Sequence, residues 1–229
     1  MTRRILAFAA LAAVLAALFV RLGFWQLDRL RARQARNAAL TTRLAELEAP
    51  FEQLPDSAAF RRARLSGTPD YEREVVLTGR SHNGSPGVYI LTPVRRAGSD
   101  TAVIVIRGWV YAPDAASADL SRWREARTDF RGYVLAIPPG QPARASGERK
   151  LRTLTVGGVR ELFSYPVAPL YLVSQDSMSV STPARLPMPA LDNGPHLSYA
   201  VQWFSFAAIA IVGAAIVVFR ARNAGSTAA

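Results

Sequence analysis

The sequence has no cysteine, a single lysine (Lys150), two histidines and only 17 carboxylate side chains. Without a thiol the chain can form no disulfide, no thiolate copper or zinc site and no covalent c-type haem attachment. The carboxylates are sparse, and no two stand at a spacing that marks an acid/base couple or an oxygen-ligand metal site. No G-x-S-x-G motif, glycine-rich phosphate loop or internal repeat is present. His82 lies in the turn-rich stretch His82-Asn83-Gly84-Ser85-Pro86-Gly87 and reads as an exposed turn histidine rather than a catalytic base. These absences speak against an enzyme. A membrane-anchored hydrolase using a serine and His82 is the weakest of the readings.

What is abundant is arginine. All but one of the 28 basic residues are arginine, which sets the formal net charge at +11. They scatter along the chain among alanine and proline instead of forming a groove-tracking patch, so the charge points away from nucleic acid. Anionic lipid headgroups are the nearer partner, because the chain carries two long apolar runs.

Ile5 to Val20 contains no charge, and Leu197 to Phe219 is an uncharged stretch of 23 residues. At about 1.5 Å per residue the second covers roughly 34 Å, enough for a hydrocarbon core of about 30 Å. The first follows Arg3 and Arg4 and could be mistaken for a signal peptide. It lacks a small-x-small cleavage site and flows into Arg21-Leu22-Gly23-Phe24-Trp25-Gln26-Leu27, where Arg21 can snorkel and Trp25 can anchor at the interface. It therefore reads as an uncleaved span over 5–25. Two spans put both termini on one side. Arg3, Arg4, Arg220 and Arg222 favour the cytoplasm for the termini, although Arg29, Arg31, Arg33 and Arg36 crowd the far end of the first span.

The expected fold is a membrane α+β protein: two transmembrane helices flanking a mainly antiparallel β domain outside the cytoplasm. The expected segments are a cytoplasmic N-terminus (1–4), the first span (5–25), a helical extension (26–49), the β-rich domain (50–195), the second span (196–219) and a cytoplasmic tail (220–229). The extension follows from helix formers without Gly or Pro between Leu27 and Glu48. Strand candidates are Leu65–Tyr71, Glu74–Gly79, Gly87–Val94, Ala102–Tyr111, Phe130–Ile137 and Pro169–Gln175, short runs rich in Val, Ile, Leu and Tyr and bounded by Gly, Pro, Asn and Ser. A helical turn or two is expected over Gly158–Phe163, and an extended, proline-rich approach to the second span over 182–195.

The stretch from Pro195 to Phe204 carries the most chemistry. Asn193-Gly194-Pro195 is a helix-start signal with proline suited to the first helical position, which places His196 in the first turn. A neutral imidazole is the form that coordinates a metal. Trp203, seven residues on, falls within about 20° of the same face and about 10 Å deeper. Tyr199 and Ala200 flank that stripe, with alanine leaving room for a flat ligand, and Gln202 is an intramembrane polar group of the kind that faces a partner. Two readings stay open on spacing alone. His196, Tyr199 and Trp203 are boundary and interface residues, or they hold a planar group with a metal centre, for which a haem is the natural candidate. Gln26, Arg29 and Arg33 share one face of the first helix, for headgroups or for an anionic ligand.

Four pieces in order resemble the Surfeit locus protein 1 (SURF1) family of cytochrome c oxidase assembly factors. They are Gly23-Phe24-Trp25-Gln26-Leu27-Asp28-Arg29-Leu30, Gly87-Val88-Tyr89-Ile90-Leu91-Thr92-Pro93, Val105-Ile106-Arg107-Gly108-Trp109-Val110, and His196-Leu197-x-Tyr199-Ala200-x-Gln202-Trp203-Phe204. The resemblance implies a non-enzymatic assembly factor or chaperone for haem-copper oxidase, multi-pass in the cell (inner) membrane, that binds haem a or delivers it to the oxidase catalytic subunit. Haem a synthase would be a further partner. Carried onto this chain, it implies His196 as ligand to the haem iron, with Trp203, Gln202 and Tyr199 beside it and Trp25 and Arg29 at the matching place on the first span. The chain departs from the family pattern at Ile106 and Tyr111, where asparagine and proline are common, and over Ala143–Phe163, which lacks aromatic and aspartate landmarks. Its arginine- and alanine-rich composition suggests a bacterial member. The alternative is a scaffold that binds no haem and stabilises an oxidase subunit through its β domain.

Overall fold

The computed structural model describes residues 3–178, 182–189 and 191–226. The outermost residues of the expected cytoplasmic segments, Met1, Thr2 and 227–229, lie outside the described residues, as do 179–181 and Ala190. The chain divides into two compact units: Met1–Ala39 with Leu191–Ala229, and Leu40–Ala190.

The first unit is built from two long helices, α1 (Arg3–Ala45) and α3 (His196–Ser226). Both are long and apolar enough to cross a membrane. Their contacts follow a spacing of three and four residues. On α1 the buried positions are Ala12, Ala16, Gly23 and Gln26, with Phe19 completing the series, and on α3 Ala200 and Ala207 are buried. Small residues at these sites let two backbones approach, as membrane helix pairs require. The aromatics fill the remaining space in an antiparallel register. Phe19 stacks on Trp203 at 5.6 Å and Phe24 meets Phe204 edge-on at 5.4 Å. The outward faces keep Leu6, Leu11, Val14, Val201, Ile209 and Val212 exposed.

The second unit holds one sheet. Its strands are β1 (Ala49–Pro50), β2 (Arg62–Ser66), β3 (Thr68–Pro69), β4 (Val75–His82), β5 (Ser85–Arg95), β6 (Ala102–Tyr111), β7 (Asp129–Ala136), β8 (Ala143–Arg144), β9 (Lys150–Thr153) and β10 (Leu170–Ser174). They follow the order β1-β2-β7-β10-β6-β5-β4-β9-β8, with β3 on β5. Most strand pairings are antiparallel, as expected, but not all. The sheet is mixed, with β1–β2, β6–β10 and β4–β9 running parallel. β10 enters from far along the chain between β6 and β7, so its direction is set by the crossover, not by a hairpin turn. β5 and β6 are nearly all buried, which is why they read as continuous apolar runs.

The β4–β5 hairpin turns on Asn83-Gly84, both at positive φ (50° and 79°), with His82 opposite Ser85. This is the two-residue turn that Asn-Gly favours, because it matches strand twist. His82 is therefore a strand end and not a free turn residue. It lies half-buried, with its ring 5.3 Å from Trp109. The short helix α2 (Val156–Leu162) starts where Thr155 accepts a hydrogen bond from Gly158 N–H. The exposed loop 138–142 supplies further acceptors there, from Pro138 and Gly140.

Candidate functional site

His196 begins α3, and the Pro195 carbonyl accepts the first helical hydrogen bond, from Tyr199 N–H at 3.2 Å. Pro195 is thus the cap residue rather than the first helical residue. Gly194 stands at φ +64°, a left-handed turn suited to glycine, and Asp192 accepts a bond from its N–H at 2.8 Å. Arg33 of α1 grips Asp192 twice, at its carboxylate (2.8 Å) and its carbonyl (2.9 Å), and Asn37 donates to the same carbonyl at 2.8 Å. The turn leading into α3 is thereby pinned to one face of α1.

The same face holds the imidazole. His196 Nδ1 lies 2.9 Å from Gln26 Oε1, and Gln26 is buried. A carboxamide oxygen only accepts, so Nδ1 is the donor in this bond and Nε2 is the ring nitrogen that takes no part in it. A Cβ at Gly194 would lie 3.5 Å from Cδ2 and 3.6 Å from Nε2, so the glycine leaves that edge of the ring without a side chain against it. An imidazole held at one nitrogen and open at the other is the usual form of a histidine ligand. His196 also lines a cleft of about 450 Å³ with Arg29, Ala32, Arg33 and Arg36. Among the described residues no group of three or more His, Asp or Glu side chains gathers that could hold a metal ion.

The other expected residues are distributed around this point. Arg29 shares the cleft with His196, and its guanidinium also lies over the Trp25 ring at 5.4 Å. Trp25, 48% exposed, lines a separate hollow with Arg21, Leu22, Phe24 and Asp28. Trp203 spends its ring on Phe19 and on Phe206, 5.9 Å away. Tyr199 and Gln202 are exposed on α3. The room expected beside Ala200 is closed, since Ala200 is 1% exposed. Gln26 is the residue that reasoning from the sequence undervalued. The signal was there, because it falls at the end of the 12, 16, 19, 23, 26 series and is the one polar member.

The sheet unit explains the two central motifs. Arg107 is fully buried in β6 and donates to Glu74 at 2.7 Å and Thr92 at 2.8 Å, and also to the Trp123 carbonyl. Thr92 donates in turn to Glu74 at 2.6 Å, and Tyr71 lies under the guanidinium at 5.2 Å. Burial pushes the Glu74 carboxyl above its ordinary range, with Arg107 and the Thr92 hydroxyl pulling it back. Glycine at 87 is required because a Cβ there would collide with the Trp109 indole and the Val110 carbonyl. Gly108, at φ +148°, faces Ala184, whose N–H and C=O pair with Trp109 at 2.8 and 2.7 Å. The stretches 87–93 and 105–110 are thus paired strands around one buried charge.

A sequence model of the SURF1 family matches residues 13–208. Curated relatives include SURF1-like proteins of Rickettsia felis, 22% identical over 85% of this chain and 89% of the relative, and of Rickettsia conorii, 22% identical over 90% and 88%. The yeast Saccharomyces cerevisiae "Cytochrome oxidase assembly protein SHY1" is 30% identical over 103 residues, 41% of this chain and 26% of that protein. The matched region runs from within α1 across the whole sheet and into α3, past His196, and the chain belongs to the SURF1 family.

Proposed function

We propose that this chain is a non-enzymatic, membrane-bound assembly factor for cytochrome c oxidase, and that His196 binds the iron of haem a on its way to the oxidase catalytic subunit. Family membership and the yeast relative's assembly role support the first part. One observation carries the second: the hydrogen bond from His196 to buried Gln26, which fixes the ring with Nε2 open beside Gly194. The donor set fits a haem, with one imidazole for the iron and guanidinium groups in the same cleft. Bound haem would be cargo, and its iron would take the His196 imidazole as a ligand.

In this reading the two spans put both termini in the cytoplasm and the sheet unit outside it, in the cell (inner) membrane. The lipid bilayer, the oxidase catalytic subunit and haem a synthase are the partners. The chain's own residues do three things: Gln26 orients the imidazole, Arg33 and Asn37 hold the turn at 192–194, and the paired aromatics keep the helices together.

The test is the absorption spectrum of protein purified from cells that make haem a. A Soret band that disappears in His196→Ala, together with loss of assembled oxidase in a complemented deletion strain, supports the proposal. A colourless wild-type protein, with His196→Ala assembling oxidase normally, replaces it with the scaffold that binds no haem.

A further inference from the structure

Three guanidinium groups line the cleft that holds His196, and only one of them is engaged by a carboxylate. Arg33 is taken up by Asp192. Arg29 and Arg36 make no ion pair among the described residues, and no acidic side chain lines the cleft. Arg29 rests on the face of Trp25, which fixes its direction without neutralising it. Arg29 and Arg36 are seven residues apart on α1, so they lie on nearly the same face and about 10 Å apart along the axis. Ala32 stands between them and leaves the floor of the cleft open. Arginines that line a cavity without a carboxylate partner can receive oxyanions, because each guanidinium offers a planar fork of donors to a carboxylate or phosphate.

We infer that Arg29 and Arg36 hold the two carboxylates of the porphyrin whose iron His196 binds, so that the cleft recognises the acidic edge of its ligand as well as its metal. This rests on the haem reading above and adds to it a second, metal-independent point of contact. It makes the ligand a tetrapyrrole with free carboxylates, which Arg29 and Arg36 would hold in the cleft they share with His196.

The test uses the full-length protein in detergent, titrated with hemin and with hemin dimethyl ester, in which both carboxylates are masked. Binding is read from the Soret band. Wild-type protein is expected to bind hemin at least tenfold more tightly than the ester. In the double variant Arg29→Gln/Arg36→Gln that preference should disappear while the Soret position of the bound hemin stays unchanged, because His196 still ligates the iron. Arg29→Lys/Arg36→Lys should restore part of the preference, which a purely structural role would not predict. Equal binding of hemin and ester by the wild type overturns the inference and leaves the haem reading standing, as does a preference that survives in the double glutamine variant. No Soret change with either porphyrin overturns both.

Discussion

Gly23 of α1 and Phe204 of α3 stand so close that a Cβ at position 23 would lie 2.6 Å from the Phe204 ring. Glycine in a helix interior costs about 1 kcal/mol relative to alanine, so this one is kept for the room it leaves. Gly23→Ala should therefore destabilise the helix pair where propensity alone would favour it. Overpacking of this kind costs on the order of 1–3 kcal/mol. Thermal melts in detergent should show the loss, and adding Phe204→Leu should recover most of it. Melting temperatures that simply add across the two changes would mean that the ring and the glycine are not coupled.

Gln26→Leu should leave both helices formed but weaken hemin binding by roughly 10–100-fold, the usual cost of losing the group that orients a ligating histidine. The comparison is with His196→Ala, in which the band should be lost. A hemin titration of Gln26→Leu that overlays the wild type would show that Nδ1 needs no partner.

Arg107→Ala leaves the Glu74 carboxylate buried without its cation, which costs about 3–5 kcal/mol, whereas Glu74→Ala leaves Arg107 the Glu125 carboxylate at 3.4 Å. Both variants should lower the denaturant midpoint of the sheet unit, Arg107→Ala the more. Neither variant tests partner binding, since Arg107 offers no exposed surface. An Arg107 variant of undiminished stability that nevertheless fails to assemble oxidase would contradict this.

Burial raises Tyr133 and Tyr165 to about 12, from an ordinary value of about 10, and Asp70 adds to the shift at Tyr165. The folded state then holds these protons where the unfolded chain has released them. The stability they contribute is complete below about pH 10 and falls as pH rises towards 12. Absorbance of tyrosinate near pH 11 should develop together with loss of structure, and Tyr133→Phe should move that transition to higher pH. A transition unmoved by Tyr133→Phe would remove Tyr133 from the account.

Much of this was legible in the sequence, and the gaps have physical causes. β6 falls on Ala102–Tyr111 as its apolar run predicts, and the long helix reaches Ala45, before the proline at 50. β8 and β9 gave no signal because they are short and mostly polar, and β9 joins the sheet through β4, far back in the chain. The parallel contacts of β10 depend on a crossover that local periodicity does not encode. Arg107 amid Val103, Ile104, Val105 and Ile106 announced a buried charge, but its carboxylate lies 33 positions away and could not be chosen from among 17. His196 and Arg29, both singled out in the sequence, line one cleft. Gln26 was legible as a member of the Arg29 and Arg33 face, but not as the partner of His196, because that pairing joins residues 170 positions apart.

The turn at 192–196 is fastened at both ends to α1, to Arg33 and Asn37 at Asp192 and to Gln26 at His196. These attachments work only while positions 26, 33 and 37 keep their angular phase. One residue inserted between 26 and 33 would rotate one set of attachments by about 100° against the other, whereas seven would nearly restore the angle but move it by about 10 Å. The distance along α1 between Gln26 and Arg33 therefore acts as a gauge block. It fixes how far the imidazole sits from the turn before it, and no change of side chain alone can replace that length.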